Sequence, residues 1–158
     1  MSEQRSVSTS PRATGGGPAY GMSTTVDLPY ERAVERTREA LGAEGFGVLT
    51  EIDVRATFRK KLDTDFRPYV ILGACNPAFA HRALTAERDI GLLLPCNVIV
   101  YAADTPGHCV IAAIDPVVAL GVTGKADLLP LAEEVKSRLS RALAAVESSA
   151  TIREGVAT

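Results

Sequence analysis

The chain has 158 residues, 46% of them apolar, with four Phe, four Tyr, no Trp and a formal net charge of −2. That length suits one domain with a core of its own, built here from Val, Leu, Ile and Ala. The balanced charge gives no field to attract nucleic acid or an anionic membrane, and no stretch approaches the roughly 20 apolar residues of a membrane span.

Residues 1–21 are rich in Ser, Gly and Pro, with Gly15, Gly16, Gly17 and Pro18 in succession. Such a segment has too few apolar side chains to offset its ordering entropy and is expected to be a flexible tail. It lacks the apolar stretch of a secretory signal. Together with an odd number of cysteines, three, this points to a cytoplasmic chain with free thiols rather than a disulfide framework. The expected single domain is residues 22–148, with a frayed tail over 149–158.

A first short strand is expected at residues 23–27. Pro29 and Glu31 then open a helix whose buried stripe is Ala33, Val34, Thr37, Ala40 and Leu41, ended by Gly42 and Gly45. Phe46, Val48, Thr50 and Ile52 alternate with Gly47, Leu49 and Glu51, the pattern of a strand with one face more buried. Val54, Phe58 and Leu62 recur every fourth residue between Arg55, Arg59, Lys60 and Lys61, which predicts a short basic helix.

Residues 69–74 form an apolar run without alternation, as in a central strand covered on both faces. Asn76 has the chemistry of an N-cap and Pro77 that of a first helical residue, so a helix is expected to about residue 87 with Ala80, Ala83 and Leu84 inward. A loop with an apolar patch, Leu92 to Leu94, follows. Residues 97–101 and 110–114 are strands, joined by a hairpin turn at Asp104, Thr105, Pro106 and Gly107. Residues 116–124 fit either a short helical turn or an irregular edge. Asp127 is expected to cap a last helix with the stripe Leu128, Leu131, Ala132, Val135, Leu139, Ala142, Leu143 and Val146. This order implies an α+β, two-layer sandwich: a mostly antiparallel sheet with helices packed on one face. No glycine-rich phosphate loop follows a strand, which argues against a doubly wound nucleotide-binding fold.

Three stretches carry a likeness: Gly45-Phe46 after the first helix, Gly73-Ala-Cys-Asn-Pro77, and Gly91-Leu-Leu-Leu-Pro-Cys-Asn-Val98 running into a strand. In these the chain resembles the family catalogued as domain of unknown function 302, over roughly residues 22–121. The resemblance implies a two-layer architecture related to the TATA-binding-protein-like folds, and a homodimer. It implies no activity and hence no catalytic residues, and it makes Cys75 and Cys96 the counterparts of the family's motif cysteines.

The two Cys-Asn pairs, Cys75-Asn76 and Cys96-Asn97, are the candidate site. Cys75 precedes a helix N-terminus, where unpaired N–H groups favour a thiolate; the plainer reading is a small apolar residue closing a buried strand. If the two strands are parallel, the thiols lie a strand apart, about 17 Å. If they are antiparallel, both thiols come to one sheet end; the loop over residues 88–95 can span up to about 26 Å, which permits that return. The antiparallel arrangement is the one expected here. Cys75 and Cys96 together fit a redox couple, a soft-metal site or packing.

Other candidates weigh less. The hairpin pairs Cys109 with about Ala102, roughly 20 Å along the strand from Cys96, so His108 and Cys109 do not join the pair. No metal site is expected, because zinc-ligand spacing is absent. His81 lies on the polar side of its helix, without a visible partner. Glu51 and Asp53 share one face of a strand end and suit a solvated pair better than acid–base work. The basic residues from Arg55 to Lys61, balanced by Asp63 and Asp65, suit a solvated helix face.

Three functional readings therefore stand. The first is a binding or sensing module with a small-molecule ligand near Cys75, Asn76, Cys96 and Asn97. The second is a thiol-based redox or sulfur-transfer protein with Cys75 as nucleophile and Cys96 as its partner. The third is a structural dimerisation domain joined through the Leu92–Leu94 patch or a sheet edge. No cofactor follows from the residues, and whether the domain is an enzyme stays open at this point.

Overall fold

The structure is a computed structural model that describes residues 17–151. The expected N-terminal tail lies mostly outside the described residues, as does most of the expected C-terminal one. The elements follow as β1 (Gly21–Val26), α1 (Tyr30–Ala43), β2 (Gly47–Asp53), α2 (Val54–Leu62), β3 (Tyr69–Cys75) and α3 (Pro77–Ala86). A 3₁₀ turn at Arg88–Leu93 leads to β4 (Cys96–Ala102), β5 (Cys109–Ile114), α4 (Pro116–Gly121) and α5 (Leu129–Thr151). No helix among the described residues is long and apolar enough to cross a membrane.

The five strands form one sheet in the order β1-β5-β4-β3-β2, and every neighbouring pair is antiparallel. The α+β, two-layer expectation is met. Strand side chains alternate between faces. Val70, Leu72, Val98, Val100 and Ile111 are buried on the face that receives α1 and α5. Ile71, Ile99 and Val110 point to the other face and are only half-buried. α1 and α5 also pack on each other, so Leu41, Leu139 and Val146 close the core from above.

Local chemistry accounts for the helix starts. The Asn76 side chain accepts from Ala78 N at 3.2 Å and Phe79 N at 3.4 Å, with Pro77 just inside α3. Asp53 caps α2 by accepting from Ala56 N at 2.9 Å. At the far end of α2, Asp63 takes a left-handed conformation with φ 49°.

Residues 116–121 resolve into a helix by the same Asn/Asp-Pro device. Asp115 accepts from Val117 N at 2.9 Å and Val118 N at 3.5 Å, and Pro116 takes the first helical position. Its second oxygen accepts from Lys136 Nζ of α5 at 2.7 Å. Burial, the largest single influence, pushes the Asp115 carboxyl up. The Lys136 hydrogen bond and the two backbone donors outweigh it and hold the pKa below its ordinary 3.8.

Asp115 is only 8% exposed, so Asp115→Ala is expected to cost about 1–3 kcal/mol, as a lost cap that also strands a lysine. A pKa lowered by folding adds stability above the unfolded value and loses it as pH falls through the folded one. In urea unfolding across pH, the gap between wild type and D115A should be full above pH 3.8 and narrow below it.

Two expectations need correction. Asp127 does not cap the last helix. It sits in a 3₁₀ turn, Ala126–Leu128, closed by Leu128 N to Lys125 O, and α5 begins at Leu129 with Pro130 in its first turn. Nor does β2 keep one buried face. It is an edge strand with a register shift between Val48 and Thr50, so Leu49, Thr50 and Ile52 are exposed and only Val48 is half-buried. A bulge shifts the two-residue alternation, and an edge strand has a neighbour on one side only.

Candidate functional site

The sheet topology decides where the two Cys-Asn pairs meet. β3 and β4 run antiparallel with Ala74 opposite Cys96 and Gly73 opposite Asn97. The end of one strand therefore lies beside the start of the other, with Cys75 and Cys96 at the same edge. That edge opens into a cavity of about 300 Å³. Its walls come from the end of β3, the start of β4, α3, α4, the first turns of α5 and the segment Leu93, Leu94 and Pro95.

Cys75, Asn76 and Cys96 line this cavity, and Asn97 does not. Cys96 and Val98 share the helix-covered face, so Asn97 between them points the other way and is exposed. Ala80, Ala83 and Leu84 of α3 face the cavity. Only Ala83 of the three is buried; the open space beside Ala80 and Leu84 explains their exposure.

Burial, and to a lesser degree the neighbouring Cys75, push the Cys96 thiol up to about 11. At neutral pH Cys96 is thus a protonated, weakly polar wall group and not a thiolate nucleophile.

The glycines of the two motifs have steric reasons. Gly45 adopts φ +84°, a region where L side chains are strained, and a Cβ there would stand 3.0 Å from Asn76 Nδ2. Gly73 lies under Thr50 and Pro95; a Cβ would fall 2.1 Å from Thr50 Oγ1 and 2.8 Å from Pro95 Cγ. The missing side chain at Gly73 lets β2, β3 and the entry to β4 come close together.

The remaining candidates lie elsewhere. Cys109 is opposite Ala102, at the other end of β4 from Cys96, and its Sγ donates to Leu28 O at 3.3 Å. His108 Nδ1 lies 3.2 Å from Pro106 O in the hairpin. His81 is exposed, and its carbonyl accepts from Thr85 Oγ1 at 2.7 Å. Glu51 pairs with Arg38, and Asp53 is a helix cap, so the two carboxylates serve the fold. In α2, Arg55 and Arg59 pair with Asp65 at 3.4 and 3.6 Å. Among the described residues no group of three or more His, Cys, Asp or Glu is placed to hold a metal ion.

Phe79 is the site residue that the sequence pattern did not single out. It is buried, lines the cavity, and carries the guanidinium groups of Arg138 and Arg82 over its ring at 5.2 and 5.8 Å. Its position four residues before Ala83, on the same helix face, was the available signal.

Comparison with known proteins agrees with this fold. The model of the family "Domain of unknown function DUF302" matches residues 22–146. A solved structure described as the crystal structure of uncharacterized conserved protein DUF302 from Bacillus stearothermophilus has 31% sequence identity and a TM-score of 0.75. The match covers 82% of this chain and 99% of that one. No curated protein matches. With the family model running from β1 into α5, over residues 22–146, this chain belongs to the DUF302 family.

Proposed function

We propose that the domain is a small-molecule binding module whose ligand occupies the cavity beside Cys75, Asn76 and Cys96. One observation carries this reading: a pocket of about 300 Å³, half open to solvent and walled almost wholly by carbon, stands at the sheet end. That volume is at the lower end of ligand pockets, and apolar walls with a few polar groups are their usual chemistry. The thiol-enzyme reading has less behind it, because Cys96, the partner thiol it needs, keeps its proton well above neutral pH.

The test is titration with the neutral hydrophobic dye N-phenylnaphthylamine, alongside the variant Ala119→Phe. Ala119 is half-buried on α4 and borders the cavity, so a larger side chain there fills open space. Saturable binding with one dye per chain is expected in the wild type, weakened at least about tenfold in A119F with the melting temperature retained. Dye concentrations near 100 Kd should stabilise the wild type by about 2.7 kcal/mol. Absence of saturable binding would rule the module out.

A second reading, a homodimer, is favoured by the sheet face away from α1 and α5. There Ile71, Ile99 and Val110 are half-buried and Ile52 is exposed. This apolar surface suits a second copy better than the Leu92–Leu94 patch, where Leu93 and Leu94 already turn into the cavity. Analytical ultracentrifugation of wild type against Ile99→Lys distinguishes the two states: a dimer that becomes a monomer supports this face, and an unchanged mass removes it.

A further inference from the structure

Resting on the binding-module reading, the chemistry of the cavity wall narrows what it can hold. None of the twenty lining residues is Asp, Glu, Lys, Arg or His. The polar side chains in the wall are Thr50, Cys75, Asn76 and Cys96. Asn76 has committed Oδ1 to the first two N–H groups it meets in α3, so what its amide has left to offer is donors. Cys96 stays a thiol at neutral pH and also donates, weakly.

The nearby charged groups Asp115 and Arg138 stand outside the wall. Asp115, next to the lining residue Pro116, is held by Lys136. Arg138 stacks on the outer side of the Phe79 ring, donates to Glu44 O at 3.2 Å and pairs with Glu134 at 3.8 Å; its buried Nε has no hydrogen-bond partner, but the residue does not line the cavity. A carboxylate or ammonium entering this space would lose water and gain no partner of opposite charge, a cost far above that of a neutral group. A polar group that only accepts hydrogen bonds would meet donors at the sheet end, and a hydrocarbon skeleton would meet carbon everywhere else.

We infer that the ligand is an uncharged, mainly hydrocarbon small molecule with one hydrogen-bond acceptor, a carbonyl or ether oxygen, held at the Cys75–Asn76–Cys96 end. The fixed chemistry is charge and polarity, and the skeleton is set by the volume.

The experiment is competition against bound N-phenylnaphthylamine by four probes of one chain length: octane, an octanone, octanoate and octylammonium. It is run on wild type, on A119F and on Asn76→Asp, which keeps an oxygen for the α3 cap while removing the amide donors. The octanone is expected to displace dye most strongly, octanoate and octylammonium at least about tenfold more weakly. Asn76→Asp should weaken the octanone at least about threefold while leaving octane nearly unchanged. Equal or better displacement by octanoate would overturn the assignment and make Arg138 the anchor, with the binding module intact. Octane matching the octanone in the wild type would remove the acceptor. Failure of the dye itself to bind would overturn both this inference and the module.

Discussion

Leu139→Ala is expected to lower stability by about 2–5 kcal/mol, the range for truncating a fully buried leucine that its surroundings cannot collapse onto. Leu139 is 0% exposed near the middle of α5. It shares one small interior void with Thr37 and Leu41 of α1, Val98 of β4 and Ala113 of β5. Truncation there opens the junction of α1, α5 and the sheet, where the two layers meet. Urea unfolding should show a lower midpoint with an unchanged slope, because the surface exposed on unfolding is nearly the same. A loss below about 1 kcal/mol would mean that α5 is not docked as described.

Gly73→Val is the second large effect, and it acts by excess rather than by loss. The first added carbon already meets Thr50 Oγ1 at 2.1 Å and Pro95 Cγ at 2.8 Å. A β-branched side chain cannot turn away from both, because the strand holds it between β2 and β4. Overpacking of this kind costs about 1–3 kcal/mol and sometimes more. Thr50→Ala removes the nearer obstacle and leaves Pro95. The double variant is therefore expected to recover part of the loss, a coupling readable in a double-mutant cycle. Strictly additive losses would place the obstruction elsewhere.

The fold was legible where one residue type has one physical use. Asn76 followed by Pro77 marked a helix start and the α5 stripe marked its buried side; the run from Tyr69 to Ala74 marked an interior strand, but helices α1 and α5 cover only one of the two faces expected to be covered. Cys109 stands opposite Ala102, where the hairpin turn was expected to put it. Asp115-Pro116 carries the same start signal as Asn76-Pro77, but only six residues follow before the chain turns, too few for periodicity to show. Asp127 failed as a cap because a 3₁₀ turn uses the same residue types as a helix start.

The candidate site was legible in part for a similar reason. Cys75, Asn76 and Cys96 announce themselves by type and repetition, and strand direction alone brings them together. Asn97 was grouped with them by adjacency in the chain, which in a strand means opposite faces. The rest of the wall, from Phe79 to Leu120, Leu131 and Val135, is ordinary apolar sequence. Nothing in such residues tells a filled interior from an open one, since the difference lies in how three helices are spaced.

The pairing of β1 with β5 sets the order in which the sheet can be assembled. Gly21 is bound opposite Ile114, almost the full domain away, while β2, β3 and β4 join through much nearer partners. During synthesis β1 must wait until the hairpin of β4 and β5 has left the ribosome, so the segment between them is made while β1 has no strand partner. That seam spans the largest sequence separation of any strand pair in the sheet and so carries the largest loop-closure entropy, and the sheet ends there in an edge strand.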